Sequence, residues 1–201
     1  MNSIKLLFIA VLLFSVSSNA QLDKKVWLVG GSGSFDSYKQ VYSLPQSSAG
    51  WTYDYKEINV TATIGYFFIN KLVIGVKPEF SYLKGIGKEQ TGDIATPTKL
   101  IVGPFIRYYL LNKEKPFNIF AETSYQTGLN NIPLTTAGKG NYTKFSVMTG
   151  TEIFFNSSVG LEILLGYKAT KETIGNPSVP YIDTRKGLQL AVGFQIHLEK
   201  I

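Results

Sequence analysis

Eight segments of about ten residues alternate apolar and polar side chains, and this pattern restricts the fold more than any other feature of the chain. A period of two predicts β-strands with one apolar face, whereas amphipathic helices repeat about every 3.6 residues. In the second segment, Ile58, Val60 and Ile64 fall on one face, and Asn59 and Thr63 fall on the other. The predicted strands are Val26–Asp36, Glu57–Phe67, Lys71–Leu83, Lys99–Leu110, Phe117–Thr127, Tyr142–Phe155, Ser158–Ala169 and Gly187–Glu199.

The connections between these strands alternate in length. Those after the second, fourth and sixth strands are short: Phe68–Asn70, Leu111–Pro116 and Asn156–Ser157. The others are long and rich in Gly, Pro, Ser, Thr and Asn: Ser37–Lys56, Lys84–Thr98, Gly128–Asn141 and Thr170–Lys186. An even strand count with short turns at one rim and long loops at the other is typical of transmembrane β-barrels, which must close because lipid cannot satisfy an open sheet edge. The sequence therefore predicts an all-β fold, an eight-stranded antiparallel up-and-down transmembrane β-barrel.

The first twenty residues have the pattern of a secretory signal peptide. Lys5 supplies a positive charge, an apolar run follows up to Val16, and Ser18, Asn19 and Ala20 place small residues at the cleavage positions. We therefore expect a signal peptide at residues 1–20 and a barrel at residues 21–201. The chain has no Cys, which excludes disulfides, thiolate metal sites and a lipoprotein anchor.

Aromatic residues make up 13% of the chain, and those on the apolar face cluster at two depths. Rings of aromatics at both bilayer interfaces are typical of membrane barrels. The predicted girdle at the short-turn rim consists of Trp27, Tyr66, Tyr108, Phe117 and Phe155. The predicted girdle toward the long-loop rim consists of Phe35, Phe80, Tyr82, Tyr125, Phe145 and Tyr167.

A secreted, lipocalin-like ligand-binding barrel would also alternate, with its polar face in water. Here the polar face carries Gly, Ser, Ala and Thr with a small, nearly balanced set of charges. Small residues and paired charges fit a narrow lumen better than open solvent, so the sequence favours the membrane barrel.

Several segments carry a family resemblance. They are Trp27–Ser32, Ile64–Phe67, Leu72–Val76 and Gly103–Tyr109, patterns of Gly, Pro and aromatics. They resemble the small outer-membrane β-barrel family of Bacteroidetes-type bacteria, which is similar to the OmpA/OmpX-type barrels. The resemblance covers nearly the whole mature chain. It implies an eight-stranded barrel with periplasmic termini and surface loops, inserted by the barrel-assembly machinery, and it assigns no catalytic residues.

Charged residues on the second face are expected inside the lumen: Lys77, Glu79, Arg107, Glu122, Glu152, Glu162 and Lys168, with Glu199 at the end of the last strand as a further candidate. Because an unpaired charge in a narrow lumen is destabilising, these groups should pair. Strand arithmetic predicts Arg107 and Glu122 as diagonal neighbours and Glu152 and Glu162 nearly opposite each other. Our hypothesis is a plug in which Arg107 binds Glu122, Glu152 and Glu162. A static polar core is favoured over a gate or a proton path.

The sequence predicts no catalytic, cofactor or metal site. His197, the single His, should face inward at the periplasmic end, away from any lipid headgroup. Gly30–Ser34 lacks the Lys-Ser/Thr ending and the following helix of a phosphate-binding loop.

The net charge of +6 does not indicate nucleic-acid binding, since Lys and Arg do not cluster on one element. The basic residues expected in loops, which could contact lipopolysaccharide, are Lys39, Lys56, Lys84, Lys88, Lys139 and Lys171. The leading interpretation is a monomeric, non-enzymatic outer-membrane protein with an envelope-structural or surface-contact role through four long loops. A small restricted channel and a lipid-modifying barrel enzyme remain alternatives.

Overall fold

The computed structural model describes residues 22–43, 50–87, 98–112, 115–131, 139–174 and 181–198. The predicted signal peptide, Lys88 and Glu199 lie outside them. The strands are β1 (Trp27–Ser43), β2 (Gly50–Ile69), β3 (Leu72–Gly87), β4 (Thr98–Tyr109), β5 (Phe117–Asn131), β6 (Lys139–Phe154), β7 (Val159–Ile174) and β8 (Tyr181–Leu198). No helix among the described residues is long and apolar enough to span a bilayer.

Each strand pairs antiparallel with the next, and β8 pairs with β1, so the sheet closes into a barrel. The predicted fold class is therefore confirmed. Trp27 at the start of β1 pairs with Tyr66 of β2 and with Leu198 of β8, which places both ends of the barrel at the short-turn rim. Lys71 has a φ of 68° in the turn between β2 and β3, the left-handed conformation that lets a chain reverse tightly.

Side chains alternate between the two faces of the barrel wall. Leu, Val, Ile and aromatic side chains are exposed on the outer wall, whereas charged and polar side chains are buried inside. This is the reverse of a water-soluble barrel, and it follows from the period-two pattern because successive Cβ atoms of a strand point to opposite faces.

The strands extend beyond their predicted ends at the long-loop rim. β1 and β2 remain paired up to Ser43 and Gly50, and β5 and β6 remain paired up to Asn131 and Lys139. Most of the predicted loop Ser37–Lys56 is therefore strand, and the other three long loops also lose residues to strands. Backbone pairing needs no apolar face, so a sheet can continue where the alternation of apolar and polar residues has ended.

The predicted loop lysines change position accordingly. Lys39, Lys84 and Lys139 lie in strands, and Lys56 and Lys171 are exposed strand residues on the outer wall. These two exposed lysines lie nearer the long-loop rim than the predicted girdle of aromatics on that side.

Candidate functional site

Arg107 lies at the centre of the barrel interior and is fully buried. Its Nε donates a hydrogen bond to Glu122 Oε2 at 2.8 Å, and its Nη1 lies 2.9 Å from Glu162 Oε2. Nη2 also lies 2.8 Å from Glu122 Oε2, as an ion-pair contact without hydrogen-bond geometry. The guanidinium carbon stacks 4.0 Å from the ring centre of Phe120. A planar guanidinium is suited to bind two carboxylates in this way.

Arg107 pairs directly with Glu122, so the prediction that they are diagonal neighbours is wrong. The turn between β4 and β5 sets this register. The Asn118 side chain accepts a hydrogen bond from the Leu111 amide at 2.9 Å and donates one to the Leu111 carbonyl at 3.1 Å. The Leu110 amide donates a hydrogen bond to the Ile119 carbonyl. This pairing places Arg107 directly opposite Glu122 and not diagonal to it.

Glu152 and Glu162 face each other across β6 and β7, and each has its own partners. Tyr109 donates its hydroxyl to Glu152 at 2.5 Å, and His197 Nε2 lies 2.7 Å from the other Glu152 oxygen. Gln195 donates to Glu162 at 2.8 Å. Arg107 reaches Glu152 only through the Tyr109 hydroxyl, 3.2 Å from Nη1, so the hypothetical plug is divided into two connected parts.

Lys77 and His197 extend this central network. Lys77 binds the second oxygen of Glu122 and therefore joins the network. Lys77 and Arg107 then face the three carboxylates of Glu122, Glu152 and Glu162, and a buried network is stable only when its charges are compensated. His197 Nε2 contacts Glu152, the carboxylate that neither Arg107 nor Lys77 contacts directly.

A second set of ion pairs fills the interior nearer the long-loop rim. Glu79 binds Lys144 at 2.7 Å, accepts a hydrogen bond from Thr61 at 2.8 Å, and lies above the central network. Lys168 of β7 pairs with Asp36 of β1 along the inner wall, past β8. Lys99 pairs with Glu57 at 3.1 Å.

Sequence reasoning missed four of these charged residues, Asp36, Glu57, Lys99 and Lys144, as members of the network. Their positions carried the signal, because each lies an even number of residues from a predicted inward side chain of its own strand.

The short-turn end of the lumen is closed by rings and aliphatic side chains rather than by small polar residues. Phe67 packs 5.8 Å from Tyr109 and 5.6 Å from His197, and Phe154 lies 5.4 Å from His197, measured between ring centres. The buried apolar cluster contains Leu22, Val26, Leu28, Phe67, Val73, Phe105, Tyr109, Phe120, Met148, Phe154, Leu164 and Ala191. The expectation of a lumen dominated by small residues is wrong at this end.

The interior leaves little free space at its centre. The cavity between Lys77, Glu79 and Lys144 measures about 30 Å³, room for about two water molecules. A larger cavity of about 420 Å³ lies toward the long-loop rim. No group of three His, Asp or Glu side chains among the described residues is arranged to hold a metal ion.

The predicted girdle residues all have half-exposed or exposed side chains on the outer wall. Trp27 and Tyr66 contact each other edge to face, with ring centres 5.2 Å apart. The short-turn set is Trp27, Tyr66, Tyr108, Phe117 and Phe155, and the long-loop set is Phe35, Phe80, Tyr82, Tyr125, Phe145 and Tyr167. Their role at the bilayer interfaces stays a prediction.

Comparison with solved structures gives matches to small outer-membrane barrels. OprG from Pseudomonas aeruginosa matches with a TM-score of 0.61 and 14% identity, over 91% of this chain and 100% of that one. Neisserial surface protein A matches with a TM-score of 0.53 and 17% identity, over 85% of this chain and 96% of that one. A search of curated protein sequences gives no significant match.

A family model settles the classification that the fold and the polar interior indicate. The model of the outer membrane protein beta-barrel domain matches residues 6–200, nearly the whole chain. The chain therefore belongs to the outer membrane protein beta-barrel domain family.

Proposed function

We propose that this protein is a non-enzymatic integral outer-membrane barrel that acts as a rigid support for its four long-loop connections, with an envelope-structural or surface-contact role. The observation that carries this proposal is the ionic network that crosses the lumen. Arg107, Glu122, Glu152 and Glu162 are each at most 3% exposed, and this dense filling of the described centre supports a lumen that does not conduct. Export by residues 1–20 and a monomeric state belong to the same proposal.

Two features favour a structural role over an enzymatic one. His197 is closed in by Phe67, Tyr109 and Phe154, so no substrate reaches the one imidazole. Glu152 and Glu162 are engaged by buried partners, whereas a general acid or base must contact the substrate.

Planar-bilayer recordings test this proposal. The full chain, purified from an outer-membrane fraction and shown to be folded by heat-modifiable gel mobility, should insert without stable single-channel openings. Discrete openings of the unmodified protein would contradict the proposal. A change in the lipid A mass spectrum when the protein is absent from cells would instead support a lipid-modifying enzyme.

A restricted channel is the second candidate, because Lys77 and Arg107 share Glu122 and could exchange partners. If that exchange opens a path, Arg107→Ala should raise conductance. The substitution Lys71→Ala in a turn is the matched control. Unchanged conductance and heat resistance in Arg107→Ala would end the channel hypothesis.

The exposed lysines toward the long-loop rim support a contact with lipopolysaccharide. Lys56 and Lys171 lie on the outer wall, where anionic headgroups would meet them. The double substitution Lys56→Glu and Lys171→Glu should increase outer-membrane permeability to a hydrophobic dye. The double substitution Lys24→Glu and Lys115→Glu, at exposed positions of the short-turn rim, changes the net charge by the same amount and is the control, and equal permeability in all strains would refute this contact.

A further inference from the structure

The wall of the barrel is open between its first and last strands at the long-loop rim. β1 pairs with β8 only from Trp27 to Ser34, although β1 continues along β2 to Ser43. The last pair joins Ser34 to Ala191, and β8 extends from there to Tyr181 along β7 alone. Within the described residues, two strand edges therefore face each other without a ladder. Alternate residues of such an edge direct both the amide N–H and the carbonyl toward the gap.

Side chains replace the backbone ladder at the lower end of this opening. Gln189 of β8 donates a hydrogen bond to Ser34 Oγ of β1 at 2.9 Å. Just above, Lys168 of β7 reaches past β8 to pair with Asp36 of β1. Asn59 of β2 donates to the same Asp36 carboxylate at 2.9 Å. The opening thus ends on a defined set of polar contacts.

The cavity of about 420 Å³ occupies this opening, and its volume is in the range of small-molecule sites. Its lining includes Arg185 and Gly187, which face inward, and also Lys186 and Leu188, which face outward. Asp36 of β1 and Thr184–Leu188 of β8, which lie on either side of the unpaired stretch, both line this cavity. A Cβ added to the inward-facing Gly187 would meet no atom within 4 Å, so the lumen beside β8 is open at this height.

The chemistry of this cavity differs between its inner and outer sides. Lys168, Arg185 and Lys186 supply three cations to the lining, against the two carboxylates of Asp36 and Glu57. Asp183 binds Arg185 at 2.5 Å, whereas Lys186 is exposed and forms no ion pair with the described residues.

The outer lip of the opening is apolar. Phe35 is 59% exposed and Leu188 is 75% exposed. Both belong to the wall that faces lipid in this family of proteins, and Phe35 belongs to the predicted girdle of aromatics near the bilayer surface. A polar cavity with the exposed Lys186 at its rim thus adjoins an apolar lip at the expected height of the lipid headgroups.

We propose that the opening between β1 and β8 binds an anionic single-chain amphiphile from the outer leaflet, with its head in the cavity beside Lys186 and Arg185 and its chain against Phe35 and Leu188. Carboxylate or phosphate oxygens accept hydrogen bonds, so the head would also satisfy edge N–H groups that lipid cannot. The inference goes beyond the proposed function. It requires a membrane-embedded barrel and is independent of whether the central network conducts.

Photo-crosslinking of the full chain in phosphatidylcholine nanodiscs tests this site. The probe is a dodecanoic acid with a diazirine on its chain, and mass spectrometry locates the labelled residues. Labelling should concentrate at residues 182–188 and near Phe35. Excess dodecanoate or dodecyl phosphate should suppress it, and their relative potency distinguishes a fatty-acid from a phosphate headgroup. Equal suppression by dodecyltrimethylammonium would overturn the proposal. Labelling spread uniformly around the outer wall would overturn it as well.

Two variants with matched controls separate the cavity from general contact with lipid. Lys186→Glu should reduce labelling at this site at least about fivefold, and Lys171→Glu, on the neighbouring strand outside the cavity, should not. The ring of Gly187→Trp should fill the cavity and reduce labelling to a similar extent. Val192→Trp adds the same ring to the outer wall lower on β8 and should leave labelling unchanged. Heat-modifiable mobility establishes folding of each variant. Unchanged labelling in folded Lys186→Glu refutes the anionic head whatever happens to the Trp variant.

Discussion

Arg107 holds two buried carboxylates, so its removal is expected to destabilise the barrel more than most single substitutions. Arg107→Met keeps the apolar contact with Phe120 but leaves Glu162 facing Gln195 alone and Glu122 facing only Lys77. Removing one partner of a buried ion pair typically lowers the free energy of unfolding by about 3–5 kcal/mol. The measurement is the urea concentration at the midpoint of unfolding. The difference in gel mobility between folded and unfolded protein monitors the transition.

Adding Glu162→Gln to Arg107→Met should restore part of the lost stability, because the second change removes the unpaired charge. A double variant no more stable than Arg107→Met would show that Glu162 does not depend on Arg107.

Two inward glycines make a matched pair for testing how tightly the wall is packed. A Cβ at Gly103 would lie 1.9 Å from the Tyr125 carbonyl oxygen, whereas a Cβ at Gly187 meets nothing within 4 Å. Gly103→Ala should therefore destabilise the barrel by about 1–3 kcal/mol through overpacking. Gly187→Ala should leave stability unchanged or raise it by up to about 1 kcal/mol, since it restricts the unfolded chain. Urea unfolding of both variants in the same lipid provides the comparison, and equal losses would contradict the open cavity.

The individual residues also show how much of the interior could be predicted from sequence. Alternation alone places Arg107, Glu122 and Glu162 inside, because each has the parity of its strand's polar face. The choice of partners does not follow from parity. The pair of His197 with Glu152 joins β8 to β6, and it depends on the curvature of the closed barrel. Phe67 and Phe120 have inward parity too, but their packing into a closing layer requires knowing which inward side chains share a height.

At the scale of the strands, the period-two signal marks where one face is apolar, not where pairing ends. The predicted end of β1 is Asp36, whereas the strand pairs with β2 up to Ser43. Beyond Phe35 both faces can meet water or polar groups, so the hydropathy pattern fades although the ladder continues. Because the hydropathy pattern does not report which backbone groups are paired, the opening between β1 and β8 cannot be predicted from the sequence either.

Hydrogen exchange should reveal this unequal pairing of β1. From Phe35 to Ser43, only the amides directed toward β2 have a strand partner, so protection should alternate from one residue to the next. From Trp27 to Ser34, strands on both sides protect every amide. Residue-resolved exchange by NMR in detergent micelles measures this pattern. Uniform protection up to Ser43 would mean that β8 closes against β1 along its whole length.

At the scale of the whole molecule, the even strand count fixes the relation between the two rims. Trp27 and Leu198 pair at the short-turn rim, so both ends of the barrel lie there and the long connections lie at the opposite rim. The family resemblance implies that the long-loop rim faces the cell exterior. In that orientation the amphiphile cavity lies at the outer leaflet and the aromatic closure lies toward the periplasm, so the proposed site depends on the direction of insertion.

The absence of Cys makes this direction directly measurable with single-cysteine variants. Asn141→Cys places a thiol at the exposed start of β6 near the long-loop rim, and Asn156→Cys places one in the short turn after β6. In intact cells a membrane-impermeant maleimide should label Asn141→Cys, while Asn156→Cys should require permeabilisation of the outer membrane. Equal labelling of both variants after permeabilisation is the control for thiol accessibility. The reverse pattern in intact cells would place this cavity at the inner leaflet, and Lys186 could not then meet an anionic amphiphile of the outer leaflet.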